Sequence, residues 1–460
     1  MESRNSRDYQ PGAHVKLAQG YYSTCHNAKI DINNFVTIPQ AEHGIRLRDF
    51  CPHATFVVRE LQDAGFEAFI VGGSVRDLLL GKIPKDFDVA TSATPEEVQD
   101  VFPRCRLIGR RFRLAHVRKG GQLIEVATFR GSATNADDDH EKSNGRILRD
   151  NVFGTVEEDA IRRDFTINAL FLDPVSGDIR DYVGGYEDLA NRRLRLIGDP
   201  EVRYREDPVR LLRAARFEAK LGVDPDPEAA EPIRAMASLL RDVPPARLFE
   251  EVCKLFLTGH GVRSMEALQR FGLSSVLFPG LRKGAARGKV KVGTVLRKTL
   301  ENTDERIKAS KPVTPAFLFA ALLWDPVSEQ SKALVEAGET PYNAMLKAAE
   351  EAIFTQCQST AIPRRFSAVT RQIWVLQIRL TKTRGKRWKR MLHEQRFRAA
   401  YDFLLLRAVE DPSLEPLCEF WTKAQVGVDL TQNRTASNDG KRNRPRRRYR
   451  HRTPAGKRSS

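Results

Sequence analysis

The sequence predicts an α+β chain in which a strand-containing region comes first, helices follow, and a basic tail closes the molecule. Three observations carry this. Between Thr55 and Phe129, β-branched and aromatic runs alternate with helical patterns. From Glu157 to about Phe278, and again beyond Lys311, apolar residues recur at helical spacing. After about Gln425 the chain is almost free of apolar residues and dense in like charge.

Taken in order, residues up to about Arg48 are polar and aperiodic and read as a loose leader. TFVVRELQDAGFEAFIVGG then gives an amphipathic helix, a turn at Ala64-Gly65 and a strand ending in Gly72-Gly73. SVRDLLLG is helical and stops at Gly81, while DFDVAT and QLIEVATF are β-branched enough for strands. The polar, breaker-rich SATNADDDHEKSNG between Gly131 and Gly145 reads as an exposed loop. FLDPVSGDIRDYVGG, punctuated by Pro174 and Gly177, is a hairpin interrupting the helices; TPAFLFAALLWD and FRAAYDFLLLRAVED continue them.

Composition narrows the classes. No apolar run approaches the roughly 20 residues a membrane helix needs, and the N-terminus lacks the apolar stretch of a secretory signal. A cytoplasmic protein without integral membrane association is expected. Six cysteines with no C-x-x-C pair indicate neither a zinc ribbon nor a disulfide framework. The net charge is +17, and Lys441 to Arg458 contributes ten basic residues and no acid, yet the remainder is basic too. A polyanionic partner fits both parts.

Alternation in DFDVAT puts Asp86 and Asp88 on one strand face and Phe87 and Val89 on the other. Adjacent carboxylates repel unless a cation lies between them, and hard oxygen donors suit Mg²⁺ or Mn²⁺. A solvated strand face is the competing reading of a bare D-x-D, but the context favours the site. Just upstream, Gly72 and Gly73 end a strand and Ser74 opens a helix, so backbone N–H groups and the positive helix end make a phosphate cradle. Arg76 opposes the helix dipole and needs an anion, either Asp77 or Asp86 within the fold or a triphosphate. Glu125, between Ile124 and Val126, is a third carboxylate: a metal ligand or base, or an edge-strand residue facing water.

IRRDFTINAL sets Arg162, Arg163 and Asp164 ahead of an apolar run read as helical. Asp164 either caps that helix or pairs with an arginine, or else the arginines bind triphosphate oxygens while Asp164 holds them or joins the acidic centre. In RYREDPVRLLRAARF, Asp207 reads as an N-cap and Pro208 as the first helical residue. Val209, Leu212, Ala215 and Ala219 form its buried stripe, with Arg210, Arg213 and Lys220 off it on a solvated face. Arg210 pairs with Glu206, or with Asp207 forms a fork able to read a base edge. GRRFRLAHV interleaves Arg110, Arg111 and Arg113 with Phe112, which suits RNA phosphates or an ordinary basic hairpin.

In one order over Phe69 to Phe217, GGSVRDLLLG, KDFDVATSATPEEV, GRRFRLAHV, EEDAIRRDFTINAL, DYVGGYEDL and REDPVRLLRAARF resemble the class II nucleotidyltransferase superfamily, and within it the bacterial poly(A) polymerase I family. Weaker similarity in PPARLFEE and in the later helical strings extends the resemblance to nearly everything but the two ends. It implies a nucleotidyltransferase head with a small mixed β-sheet, followed by an all-helical region. The implied divisions are a flexible leader (1–52), a catalytic head (53–185), a neck binding nucleotide and RNA (186–275), a body and leg binding RNA (276–424) and a disordered Arg-rich tail (425–460).

The resemblance also implies Mg²⁺-dependent addition of AMP from ATP to RNA 3′ ends, with release of pyrophosphate. Messenger RNA, regulatory RNA and tRNA precursors are the implied substrates, and RNA-decay factors the implied protein partners. Carried over by position, Asp86 and Asp88 are the metal-binding catalytic carboxylates, Glu125 stands at the third strand-carboxylate position, and Asp164 is a further active-site position. Gly72, Gly73, Ser74 and Arg76 match the triphosphate turn, Arg162 and Arg163 flank the nucleotide, and Asp207 with Arg210 match the base-selecting motif. Arg110, Arg111 and Arg113, with Arg446, Arg447 and Arg448 of the tail, are the expected RNA contacts. The close rival is a CCA-adding tRNA nucleotidyltransferase; GRRFRLAHV, PPARLFEE and the Arg-rich tail favour the polymerase, and no HD dipeptide of an attached phosphohydrolase occurs. A noncatalytic RNA-binding protein on the same scaffold is the alternative of another class, and the intact Asp86 and Asp88 speak against it.

Overall fold

The computed structural model describes residues 35–109, 113–131, 142–143, 146–147, 152–284, 293–385 and 388–428. The chain divides into two compact units, one built on Met1–Pro279 and the other on Lys291–Gln358 with Ile362–Ser460.

The first unit is organised by an eight-stranded mixed sheet. Its strands are β1 (Val36–Ile38), β2 (Ala68–Val71), β3 (Asp88–Thr91), β4 (Arg106–Ile108), β5 (Leu114–Lys119), β6 (Gln122–Thr128), β9 (Leu170–Leu172) and β10 (Ile179–Asp181), in the order β1-β10-β9-β2-β3-β6-β5-β4. Two short pairs lie apart from it: β7 (Lys142–Ser143) with β8 (Arg146–Ile147), and β11 (Arg193–Leu194) with β12 (Asp224–Pro225). Within the large sheet β3 and β6 are parallel and the other neighbours antiparallel. β2 is central and buried throughout, which is why its sequence is continuously apolar rather than alternating.

Helices α1 (Gln40–His43), α2 (Pro52–Asp63), α3 (Gly73–Leu79), α4 (Pro95–Val101), α5 (Val156–Arg162) and α6 (Gly185–Ala190) accompany the sheet. α2 starts with proline at its first position and ends before Gly65, whose φ of 91° makes the turn into β2. Thr94 and Glu97 form a reciprocal capping box on α4, and Thr155 and Glu158 do the same on α5.

Two expectations need correction. Part of the expected loose leader is structured: β1 pairs with β10, and Ile38, Ile45 and Phe50 are buried in the main core. A three-residue edge strand is too short to produce a readable period. The apolar run after Asp164 is also not a helix. It forms one 3-10 turn, Thr166–Asn168, and then β9, because Leu170, Phe171 and Leu172 are all buried within the sheet.

Six further helices complete this unit: α7 (Pro200–Glu206), α8 (Val209–Leu221), α9 (Pro227–Met236), α10 (Pro245–Phe256), α11 (Gly261–Arg270) and α12 (Ser274–Leu277). α8 packs on both α10 and α11. The expected stripe of Val209, Leu212, Ala215 and Ala219 is buried, and so are Leu211, Ala214, Phe217 and Leu221, so this helix is enclosed rather than half-solvated.

The second unit is helical among the described residues: α13 (Thr294–Lys308), α14 (Pro315–Leu322), α15 (Trp324–Glu336), α16 (Pro341–Ser359), α17 (Arg364–Leu380), α18 (Trp388–Met391), α19 (Phe397–Ala408) and α20 (Glu415–Ala424). Phe397, Leu404 and Leu380 pack around Trp421, whose indole N–H donates to the Leu380 carbonyl at 3.0 Å. Trp374 makes the matching bond to Ala320 at 3.0 Å. Both indoles thus bury a large apolar body with no unmet donor. Among the described residues no helix is long and apolar enough to cross a membrane.

Candidate active site

The site is assembled where β2 ends and β3 begins, beside the middle of β6. β2 stops at Val71, which lies opposite Asp88 in the antiparallel ladder, and Asp88 lies opposite Glu125 in the parallel one. The Gly72-Gly73 turn therefore leaves the sheet directly beside the acidic pair. Asp86 and Asp88 are exposed, while Phe87 packs against the core and Val89 is buried, the division that alternation demands. Protein packed around one side of the Asp88 carboxylate raises its pKa; the charges of Glu125 and Asp86 push it further up, and that of Arg163 pulls it down. Three acids and one arginine thus act on the same patch.

Glu125 is half-exposed and engaged from the next strand, with its Oε1 3.3 Å from Nε2 of His116. Among the described residues no three acidic, histidine or cysteine side chains are gathered into a ready-made metal cage. The fit to a cation rests instead on donor chemistry: hard carboxylate oxygens, paired on one strand and mutually repulsive, are what Mg²⁺ or Mn²⁺ takes.

At the glycine turn, Gly72 adopts φ 73° and its N–H donates to the Leu170 carbonyl at 3.3 Å. A Cβ there would lie 3.3 Å from Nη1 of Arg163, so glycine serves both the backbone conformation and the close approach of that guanidinium. The Ser74 hydroxyl donates back to the Val71 carbonyl at 3.1 Å. Arg76 is only 3 % exposed and takes the structural alternative: Nε and Nη2 donate to Asp77 at 2.9 and 2.6 Å, and Nη1 to Asn168 at 2.5 Å. Arg163 is held by Asp159 at 2.8 and 3.0 Å and stacks over Phe171, leaving its charge directed at Asp88. Arg162 donates to the Gly131 carbonyl.

Asp164 is a buried structural anion. It accepts from Nε of Arg213 at 2.5 Å, from the Asn168 amide at 3.1 Å and from the Phe165 N–H at 2.9 Å. Burial alone would raise its pKa, but the charge and hydrogen bond of Arg213, with the other two donors, bring it down to about 2. Its oxygens are occupied, which is the pairing with an arginine that the sequence offered as one alternative: Asp164 fastens α8 to the turn before β9.

At the junction of α7 and α8 the two expected base readers are separately held. Both oxygens of Asp207 accept from Arg247 at 2.7 and 2.9 Å, and Asp207 also caps the Val209 N–H at 3.2 Å. Arg210 donates to Glu206 at 3.0 Å and to the Arg203 carbonyl at 2.7 Å, the structural alternative named from the sequence. Arg203, on α7, clasps the carbonyls of Arg162 and Arg163 at 2.7 and 2.6 Å, a cation at the end of α5 where the helix dipole favours one. The solvated face expected for Arg213 and Lys220 is corrected as well. Arg213 meets Asp164, Lys220 lies 3.5 Å from Asp77, and Arg216 lies 3.6 Å from Glu251.

Sequence reasoning missed Asp159, Asn168, Arg203, Arg216 and Arg247. One signal was available: Arg210, Arg213, Arg216 and Lys220 are spaced by three, three and four, a cationic row along a helix that is otherwise apolar but for Glu218. Arg113 is exposed and paired with Glu96. Arg110, Arg111 and Arg446 to Arg448 lie outside the described residues.

A mixed sheet that carries an acidic pair at the start of one strand and a glycine turn at the end of its neighbour, with helices following, defines a nucleotidyltransferase. Family models agree: "Poly A polymerase head domain" matches residues 68–195, "Probable RNA and SrmB- binding site of polymerase A" residues 222–284, and "Polymerase A arginine-rich C-terminus" residues 337–454. Poly(A) polymerase I of Escherichia coli O6:H1 is 48% identical over 421 residues, 90% of each chain. A CC-adding tRNA nucleotidyltransferase of Halalkalibacterium halodurans is 41% identical over 217 residues, 47% of this chain and 52% of that one. The solved Bacillus stearothermophilus CCA-adding enzyme in complex with CTP superposes with a TM-score of 0.54 at 26% identity, covering 82% of this chain and 83% of that one. The chain belongs to the bacterial poly(A) polymerase I family.

Proposed function

We propose that this enzyme extends RNA 3′ ends without a template, adding AMP from ATP and releasing pyrophosphate. The observation that carries the chemistry is the meeting of Asp86, Asp88, Glu125 and Arg163 beside the Gly72 turn. The choice of polymerase over tRNA repair is supported by reach: likeness to poly(A) polymerase I runs over nine tenths of the chain, whereas likeness to the CC-adding enzyme stops near half.

In this reading the primer O3′ bonds to the α-phosphorus of ATP as the bond from that phosphorus to the bridging oxygen breaks, and the hydroxyl proton passes to a carboxylate of the acidic face. Asp86 and Asp88, with Glu125 beside them, would hold Mg²⁺ or Mn²⁺, and the bound ion would make the hydroxyl more acidic and offset the charge of the leaving pyrophosphate. The remaining work is positioning and charge stabilisation, with no covalent intermediate. Arg163, with Gly72, Gly73 and Ser74, frames the triphosphate; Asp207 and Arg210, pinned by Arg247 and Glu206, read the base. Arg113 and the basic tail meet RNA phosphates, and mRNA, regulatory RNA and tRNA precursors are the substrates, with decay factors acting on the tailed product. The five described cysteines are free thiols, which suits a reducing cytoplasm.

Asp86→Ala and Asp88→Ala test the assignment. Each is expected to abolish nucleotide addition while RNA binding, followed by filter retention, stays close to that of the unaltered protein. Retained extension in either variant contradicts the metal-holding role.

A further inference from the structure

We propose that Asn168 is a positioning residue for the triphosphate half of the active site, an inference that rests on the polymerase reading above. Asn168 is 7 % exposed and closes the 3-10 turn before β9. Three of its groups reach three parts of the site. Oδ1 accepts from Nη1 of Arg76 at 2.5 Å, Nδ2 donates to Oδ1 of Asp164 at 3.1 Å, and the backbone carbonyl accepts from Nη1 of Arg163 at 3.2 Å. The same carbonyl lies 3.7 Å from where a Gly72 Cβ would stand.

The chemistry allows one orientation. A guanidinium offers only donors and a carboxylate only acceptors, so the amide must turn its oxygen to Arg76 and its nitrogen to Asp164. An aspartate here would face Asp164 with a second carboxylate; an apolar residue would leave the Arg76 and Asp164 partners unmet inside the protein. Asp164 continues the chain of contacts to Arg213 on α8. Asn168 therefore fixes where Arg163 and the glycine turn stand, without itself lying on the acidic face. Base choice should be indifferent to it, because Asp207 and Arg210 are held through Arg247 and Glu206 instead.

Full-length Asn168→Asp and Asn168→Ser variants, each checked for a cooperative melt above the assay temperature, are assayed on an unstructured RNA with Mg²⁺ and varied ATP. The expected result is a KM for ATP raised on the order of tenfold, the size of one charge-assisted hydrogen bond, with kcat less affected and the preference for ATP over CTP unchanged. A folded variant with unaltered KM, or equal losses in base preference and KM, overturns the proposal. The unaltered protein and Asp88→Ala are run alongside: absent extension by the first, or extension by the second, counts against the polymerase reading itself, whereas a normal KM beside correct controls counts against Asn168 alone.

Discussion

Asp164 and Gly72 show how single residues set the site's frame. The Asp164 pKa is lowered to about 2, so its ionised form is favoured by folding: that stability is fully present above the ordinary carboxylate pKa and is lost as pH falls from about 4 through about 2. The difference amounts to about 2 kcal/mol. Asp164→Asn leaves Arg213 without its anion, so the deficit against the unaltered protein, read from urea midpoints, is expected to be largest near neutral pH and to narrow by about that amount toward pH 2. A constant deficit across the range would show that Asp164 is not the titrating partner. Gly72→Ala meets both a φ of 73° and the Arg163 guanidinium. A loss of activity exceeding the loss of stability, which should be about 1–2 kcal/mol, is expected from kinetics beside thermal melts.

At the level of elements, the turn into α6 leaves no room for a side chain. A Cβ on Gly185 would stand 2.1 Å from the Thr166 carbonyl oxygen, a backbone atom that cannot move aside cheaply, while Asp181 gathers the N–H groups of Val183, Gly184, Gly185 and Tyr186. Gly185→Ala is expected to destabilise by more than about 2 kcal/mol in denaturant titration, and an unchanged midpoint would refute that packing. The elements that sequence alone revealed are those whose period or punctuation is local: α2 with its Gly65 turn, β2, the β9–β10 hairpin, and the D-x-D run into β3. What it hid depends on pairing at a distance. β1 is three residues whose strand character comes from β10, and the run from Phe165 to Leu170 read as helix although it holds only the 3-10 turn Thr166–Asn168 and the first residue of a fully buried strand. The same distinction governs the site. Asp86, Asp88 and Gly72 were legible from spacing, whereas the roles of Asp164, Asn168 and Arg247 arise from partners up to 92 positions apart, as between Asn168 and Arg76.

Across the whole molecule, a chain of net charge +17 carries its acidic patch where β3 begins and a dense positive run at its C-terminus. Such a segment binds single-stranded RNA through its phosphates and without regard to sequence. Truncation at about Gln425 is expected to weaken RNA affinity and to flatten its salt dependence by up to about 0.7 of a log–log slope unit for every RNA phosphate the tail neutralises. An unchanged slope would assign RNA holding to the folded units instead.

The central claim is tested most directly by incubating the purified protein and Mg²⁺ with an unstructured RNA and, separately, with a tRNA lacking its 3′ terminus, supplying each nucleoside triphosphate alone and then ATP with CTP. A long ladder with ATP alone on the unstructured RNA is the expected result. Addition that requires the tRNA end and stops after CCA would contradict it.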